Sequence, residues 1–177
     1  MAKKRKKSTL GLVFSAGAVL FAIAAVCMMF LNAVELVSGE NVLAQYTGVQ
    51  VAFGYSETYP LIGEVKFLNF SIMNLLPYIL ALAGAVVALL AALSKKSFLL
   101  NIIAVACFVA AAVFFFTAAS YVSVAGSEGS GTLNVLVKNI VDALKDGDNL
   151  KIAIGSILGG AFSIVAAACS ALKIFVK

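Results

Sequence analysis

The chain has 177 residues, 63% of them apolar, with a formal net charge of +5 and a mean hydropathy of +1.08. Soluble domains use about 45–50% apolar residues, so this chain has too little polar surface to clothe a water-soluble fold, and a separate soluble domain is not expected beside a membrane-embedded one. Histidine is absent, which removes Ser-His and Cys-His pairs and the His-Glu-x-x-His metal helix from consideration.

The five bases Lys3, Lys4, Arg5, Lys6 and Lys7 open the chain, and four runs without any charge follow, at 8–34, 67–94, 97–127 and 152–172. Each is long enough for the roughly 20-residue helix that crosses a bilayer. The expected spans are 9–33, 70–93, 98–121 and 152–173, giving an all-α, single-domain, four-transmembrane-helix bundle. A basic start before an apolar stretch also describes a signal peptide. This stretch outruns the roughly 7–15 residues of a cleavable signal and has no clear small-x-small site, so an uncleaved anchor is expected.

Between the first two spans lies a segment over 34–69, where apolar residues mix with Gly, Ser, Thr and Tyr. Val49, Val51 and Phe53 alternate, as do Val65 and Phe67, which predicts a short β-hairpin turned by Gly54 and Pro60. Pro77 and Tyr78 fall near the start of the second span, where a missing backbone donor costs least and an aromatic residue sits at headgroup depth. The segment between the last two spans, 122–151, opens with a glycine-rich linker over 126–131. Thr132 can then cap a helix in which Leu133, Leu136, Val137, Ile140 and Leu144 recur at helical spacing, too short to span and suited to lying in the interface. Gly147 ends it.

All eight acids lie in these two segments: Glu35, Glu40, Glu57, Glu64, Glu128, Asp142, Asp146 and Asp148, with four bases among them. The other nine bases lie in the N-terminal run, at Lys95 and Lys96, and at Lys173 and Lys177. The positive-inside rule puts both termini and the lysine pair in the cytoplasm of a cell-membrane protein.

Little in the pattern names a chemistry. Cys27, Cys107 and Cys169 fall at different depths of three spans, so neither a disulfide nor a zinc site is expected. The Asp146-Gly147-Asp148-Asn149 turn lacks the ligand rhythm and distal glutamate of a calcium loop, and no Gly-Lys-Ser/Thr follows the glycine-rich linker. No catalytic, cofactor-binding or metal residue is assigned, and the chain is not expected to be an enzyme. Coupled transport usually places an ionisable group inside the bilayer, and all four runs lack one. Asn74 and Asn101 fall near opposite faces and cannot form one site. The spans do carry small residues at packing intervals: Gly155, Gly159, Ser163 and Ala167 in the fourth, and Gly84 and Ala88 in the second. Such stripes let helix backbones approach closely, within this bundle or between copies in a homo-oligomer.

Two spans, a larger first outer segment, a short cytoplasmic turn and two further spans resemble the claudin and tetraspan topology. The claudin tryptophans and cysteine pair and the tetraspanin cysteine motif are missing, so the resemblance is one of topology. The stretch 47–54, Thr-Gly-Val-Gln-Val-Ala-Phe-Gly, followed by Asn74-Leu75-Leu76-Pro77-Tyr78, is similar to small uncharacterised four-helix membrane proteins of low-GC Gram-positive bacteria and mycoplasmas. Neither resemblance implies an activity.

The outer segments are longer than connecting four helices requires, and long connections tend to be functional. The expected function is therefore an interaction or scaffold role, with Tyr46, Tyr55, Glu57 and Tyr59 as partner contacts. The expected partners are the lipid bilayer and other membrane or surface proteins, with no nucleic acid. A small uncoupled channel or transporter subunit is the alternative.

Overall fold

A computed structural model describes residues 9–38, 41–60, 63–94, 97–125, 142 and 149–175. Four helices run antiparallel to their neighbours: α1 (Thr9–Cys27), α3 (Ile72–Leu93), α4 (Ser97–Phe116) and α5 (Ile154–Phe175). All four are long and apolar enough to cross a membrane. A shorter helix, α2 (Gly48–Phe53), belongs to the segment that caps one end of the bundle.

Residue size is sorted in the opposite sense to a soluble bundle. The interior is lined by Ala18, Ala22, Ala25, Ala81, Ala88, Ala104, Ala111 and Ala166, all nearly inaccessible, with Phe108 and Phe115 filling the gaps. Leu12, Leu20, Leu82, Leu89, Val109, Val113 and Ile164 face outward on the same helices. Small interior residues bring backbones close, which is how helices gain packing energy where surrounding lipid offers no hydrophobic drive. An apolar exterior on this scale far exceeds the patches that soluble monomers tolerate.

The cap is richer than one hairpin. Strand β1 (Asn32–Ser38) pairs antiparallel with β2 (Asn41–Thr47) and, on its other edge, with β5 (Leu150–Ile152), giving the order β2-β1-β5. A second antiparallel pair joins β3 (Tyr55–Tyr59) to β4 (Gly63–Leu68). The chain leaving α4 runs beside β4, with Asn69 N–H donating to Ser123 O at 2.8 Å and Ala125 N–H to Phe67 O at 3.0 Å. The cap has its own core of Ala33, Val34, Leu36, Tyr46, Val51, Phe67, Leu68 and Ala118.

Several expected boundaries are corrected by this cap. The first span was expected to reach residue 33, but α1 ends at Cys27, a 3-10 turn covers Met28–Phe30, and β1 begins at Asn32. The third, expected to reach 121, stops at Phe116, with a 3-10 turn over Ala118–Tyr121. The alternation of Val49, Val51 and Phe53 is helical and not a strand. Thr47 caps α2: its Oγ1 accepts from Gln50 N–H, and the Gln50 side chain accepts from Thr47 N–H at 2.9 Å, satisfying two donors that a helix start leaves open. Gly54, at φ 92°, closes the other end. Residues 55–59, expected as a turn, are strand β3, and the reversal comes after Tyr59. The amphipathic helix expected from Thr132 and its glycine-rich linker lie outside the described residues, apart from Asp142, which is helical.

Candidate functional site

Two features of the cap are organised enough to act: its outward surface and its seam with the bundle. The surface is laid out by strand register. Glu35 faces Gln45 on β2 and Lys151 on β5. Gln45 Nε2 donates to Glu35 Oε1 at 2.9 Å, and Asn32 Nδ2 donates to Gln45 Oε1 at 2.7 Å, a polar chain across the exposed sheet face. Beyond it the β1–β2 ladder bulges between Leu36 and Val37, leaving Val42 and Leu43 as consecutive residues that are 50% and 55% exposed. A bulge re-aims side chains in this way. Seven residues of β1 at about 3.3 Å each make a strand roughly 23 Å long, with this tip at its far end from α1. On the second sheet Glu57, Thr58, Glu64 and Lys66 are exposed.

Of the four expected partner contacts, Tyr46 is corrected. It is 5% exposed and belongs to the cap core, its ring meeting Tyr55 edge-on at a 6.0 Å centroid distance. It points inward with Ala44 on the buried side of β2. Tyr55 is half-buried and stacks on Phe67 at 6.1 Å, so it presents only part of its surface. Glu57 is exposed. Tyr59 is the last residue of β3, opposite Gly63. The tip residues Val42 and Leu43 did not figure among the expected contacts, because their exposure follows from a bulge and not from periodicity.

The seam is built by α5 and α2 pressing on β1. Ala33 O accepts two bonds, from Ala153 N–H at 2.9 Å and from Ser156 Oγ at 2.8 Å. Gly155 allows this approach, since a Cβ there would sit 2.7 Å from Asn32 O. On the other side Gly48 N–H donates to Leu31 O at 3.1 Å, and a Cβ at Gly48 would collide with the Tyr78 hydroxyl. Ser71 ties the start of α3 to both neighbours: its N–H donates to Ala52 O at 2.9 Å and its Oγ to Tyr121 O at 2.8 Å.

The small-residue stripe of α5 is occupied from within the chain. A Cβ on Gly159 would lie 2.7 Å from the Phe115 ring, Ser163 is buried with its Oγ on Gly159 O at 2.8 Å, and Ala167 is buried beside Phe108 and Ala104. Gly84 receives the Phe108 ring in the same manner, and Ala88 packs in that layer. Gly155, the first member of the stripe, contacts strand backbone and not a helix. Asn74 and Asn101, both buried, lie at opposite ends of the bundle, near the starts of α3 and α4. Among the described residues no group of three or more Cys, Asp or Glu could hold a metal ion.

No protein-family model, curated protein or solved structure matches this chain.

Proposed function

We propose that the chain is a multi-pass protein of the cytoplasmic membrane, with both termini inside, that acts as a non-enzymatic interaction or scaffold protein through the folded cap it holds on the outer face. The observation that carries this reading is the pairing of a tightly filled bundle with a cap that has its own core. Alanine methyls and the Phe108 and Phe115 rings fill the bundle interior, which leaves the cap as the part with polar, shaped surface. Rigid elements that project exposed side chains are the usual setting for recognition.

Membrane insertion is supported by the outward Leu, Ile and Val of all four helices and by two aromatic levels. Phe30, Phe53, Phe70 and Tyr121 are exposed at the cap end, and Phe98 and Phe175 at the other. From Phe98 to Phe116 at 1.5 Å per residue is about 27 Å, close to the roughly 30 Å of a hydrocarbon core. The nine bases that fall in the N-terminal run, at Lys95 and Lys96, and at Lys173 and Lys177 in the sequence support this orientation by the positive-inside rule.

Photo-crosslinking residues at Val42 and Glu57, with Leu82 as a lipid-facing control, test the role in intact cells. The expected result is one discrete protein adduct from the cap positions, absent at Leu82, and lost on Leu43→Asp without loss of the protein itself. Adducts absent from both cap positions would contradict it. So would reproducible solute flux through the purified protein in liposomes that depends on Asn74 or Ser163.

A further inference from the structure

We propose that the seam between cap and bundle holds one ordered water molecule, bound to the side-chain oxygen of Asn74. The seam contains a small, partly open cavity of about 10 Å³, at the lower end of the roughly 10–15 Å³ that one water's centre requires. Its walls come from both bodies: Ala33 and Gly48 from the cap, and Asn74, Tyr78, Phe115 and Ser156 from the helices.

The orientation of the Asn74 amide follows from proton counting. The Ser71 hydroxyl has a single proton, and it is committed to Tyr121 O at 2.8 Å. Towards Asn74 that hydroxyl can only accept, so Asn74 must present its amino group, and Nδ2 donates to Ser71 Oγ at 3.3 Å. The amide cannot be turned over without placing two acceptors together. Asn74 Oδ1 is therefore an acceptor by necessity. Asn74 is 4% exposed, and among the described residues no protein group donates to that oxygen.

Buried acceptors in native proteins are overwhelmingly paired with protein or with ordered water. Water suits this cavity chemically. It donates one proton to Asn74 Oδ1. Its second proton suits Ser156 Oγ, whose own proton is spent on Ala33 O at 2.8 Å, and its lone pairs suit the Tyr78 hydroxyl. Two to four such partners are what buried waters have. One molecule would then touch α3, α5 and, through Ser156 and Ala33, strand β1, fastening the cap where it meets the bundle.

The test is a structure of the full chain in lipid nanodiscs or detergent at a resolution that shows ordered water, together with the same determination on Asn74→Leu. The expected result is a single solvent peak at hydrogen-bond distance from Asn74 Oδ1 in the parent protein, lost in the variant, whose leucine fills the space. A parent protein with no peak there overturns the proposal. So does a peak ringed by five or more oxygens, which would mark a cation. If Asn74→Leu fails to fold, Tyr78→Phe takes its place: the peak is expected to stay on Asn74 Oδ1 with lower occupancy, and a peak that vanishes from Asn74 while remaining on Ser156 would overturn the assignment.

Discussion

Replacing Gly159 by alanine puts a methyl group where the Phe115 ring now lies, with the new carbon 2.7, 2.9 and 3.0 Å from three ring atoms. Phe115 cannot yield easily. It is 1% exposed and meets Tyr78 edge-on at 5.0 Å, so any retreat disturbs a second buried ring. Overpacking of this kind costs about 1–3 kcal/mol. Alanine also returns about 1 kcal/mol of helix propensity relative to glycine, so Gly159→Ala should be destabilising by about 0–2 kcal/mol. Gly11 supplies the control, since a Cβ there meets nothing within 4 Å. Gly11→Ala gains the same propensity with no collision, which leaves the gap between the two variants as the overpacking cost itself. At about 2–4 °C per kcal/mol for a chain of this size, Gly159→Ala should melt roughly 2–12 °C below Gly11→Ala in detergent. Thermal unfolding followed by circular dichroism reads this directly, and the Gly159→Ala penalty should shrink when it is measured in a Phe115→Leu background. Equal melting of the two alanine variants, or an undiminished penalty in the Phe115→Leu background, would refute the packing argument.

Gly48→Ala should destabilise the protein by more than 1 kcal/mol because its methyl meets the Tyr78 hydroxyl, and Tyr78→Phe should suppress much of that effect in a double-mutant thermal cycle. Gly54→Ala forces a side chain onto φ 92° and to 2.8 Å from Leu68 O, which should cost about 1–3 kcal/mol and be visible as a lower midpoint with the helical signal retained. Thr47→Ala removes the cap of α2 at a cost of about 1 kcal/mol. Thr47→Ser should cost less than half of that by the same measurement, because it keeps the accepting oxygen. Leu43→Asp at the exposed tip should leave the midpoint within about 0.5 kcal/mol of the parent, and a large loss there would mean that the tip is packed and not presented.

The four long helices are legible in the sequence because a bilayer imposes a rule that one residue pattern can display: about twenty positions without charge. The stripe at Gly159, Ser163 and Ala167 is legible for a similar reason, since one periodicity of small residues fixes one face. The cap was only half legible. Strand β1 starts inside the charge-free run and carries Glu35 within it, and one of its edges pairs with β5, more than a hundred residues away, where Ser156 also bonds Ala33 O. A local pattern cannot contain that information. Helix α2 was within reach, because Thr47-x-x-Gln50 is a capping-box signature and Gly54 a fitting stop, yet three alternating apolar residues also satisfy a strand. Tyr46 lies in an outer segment by sequence, whereas its ring belongs to the buried side of β2 beside Tyr55.

Labelling by a membrane-impermeant maleimide in intact cells reports which side of the membrane the cap occupies, using variants in which Cys27, Cys107 and Cys169 are replaced by alanine and one cysteine is introduced at Glu57 or at Lys177. A four-span chain with its cap outside and its C-terminus inside should label rapidly at residue 57 and not at residue 177 until the membrane is opened. Equal labelling at both positions before lysis, or recovery of the chain in the detergent-free soluble fraction, would contradict that topology.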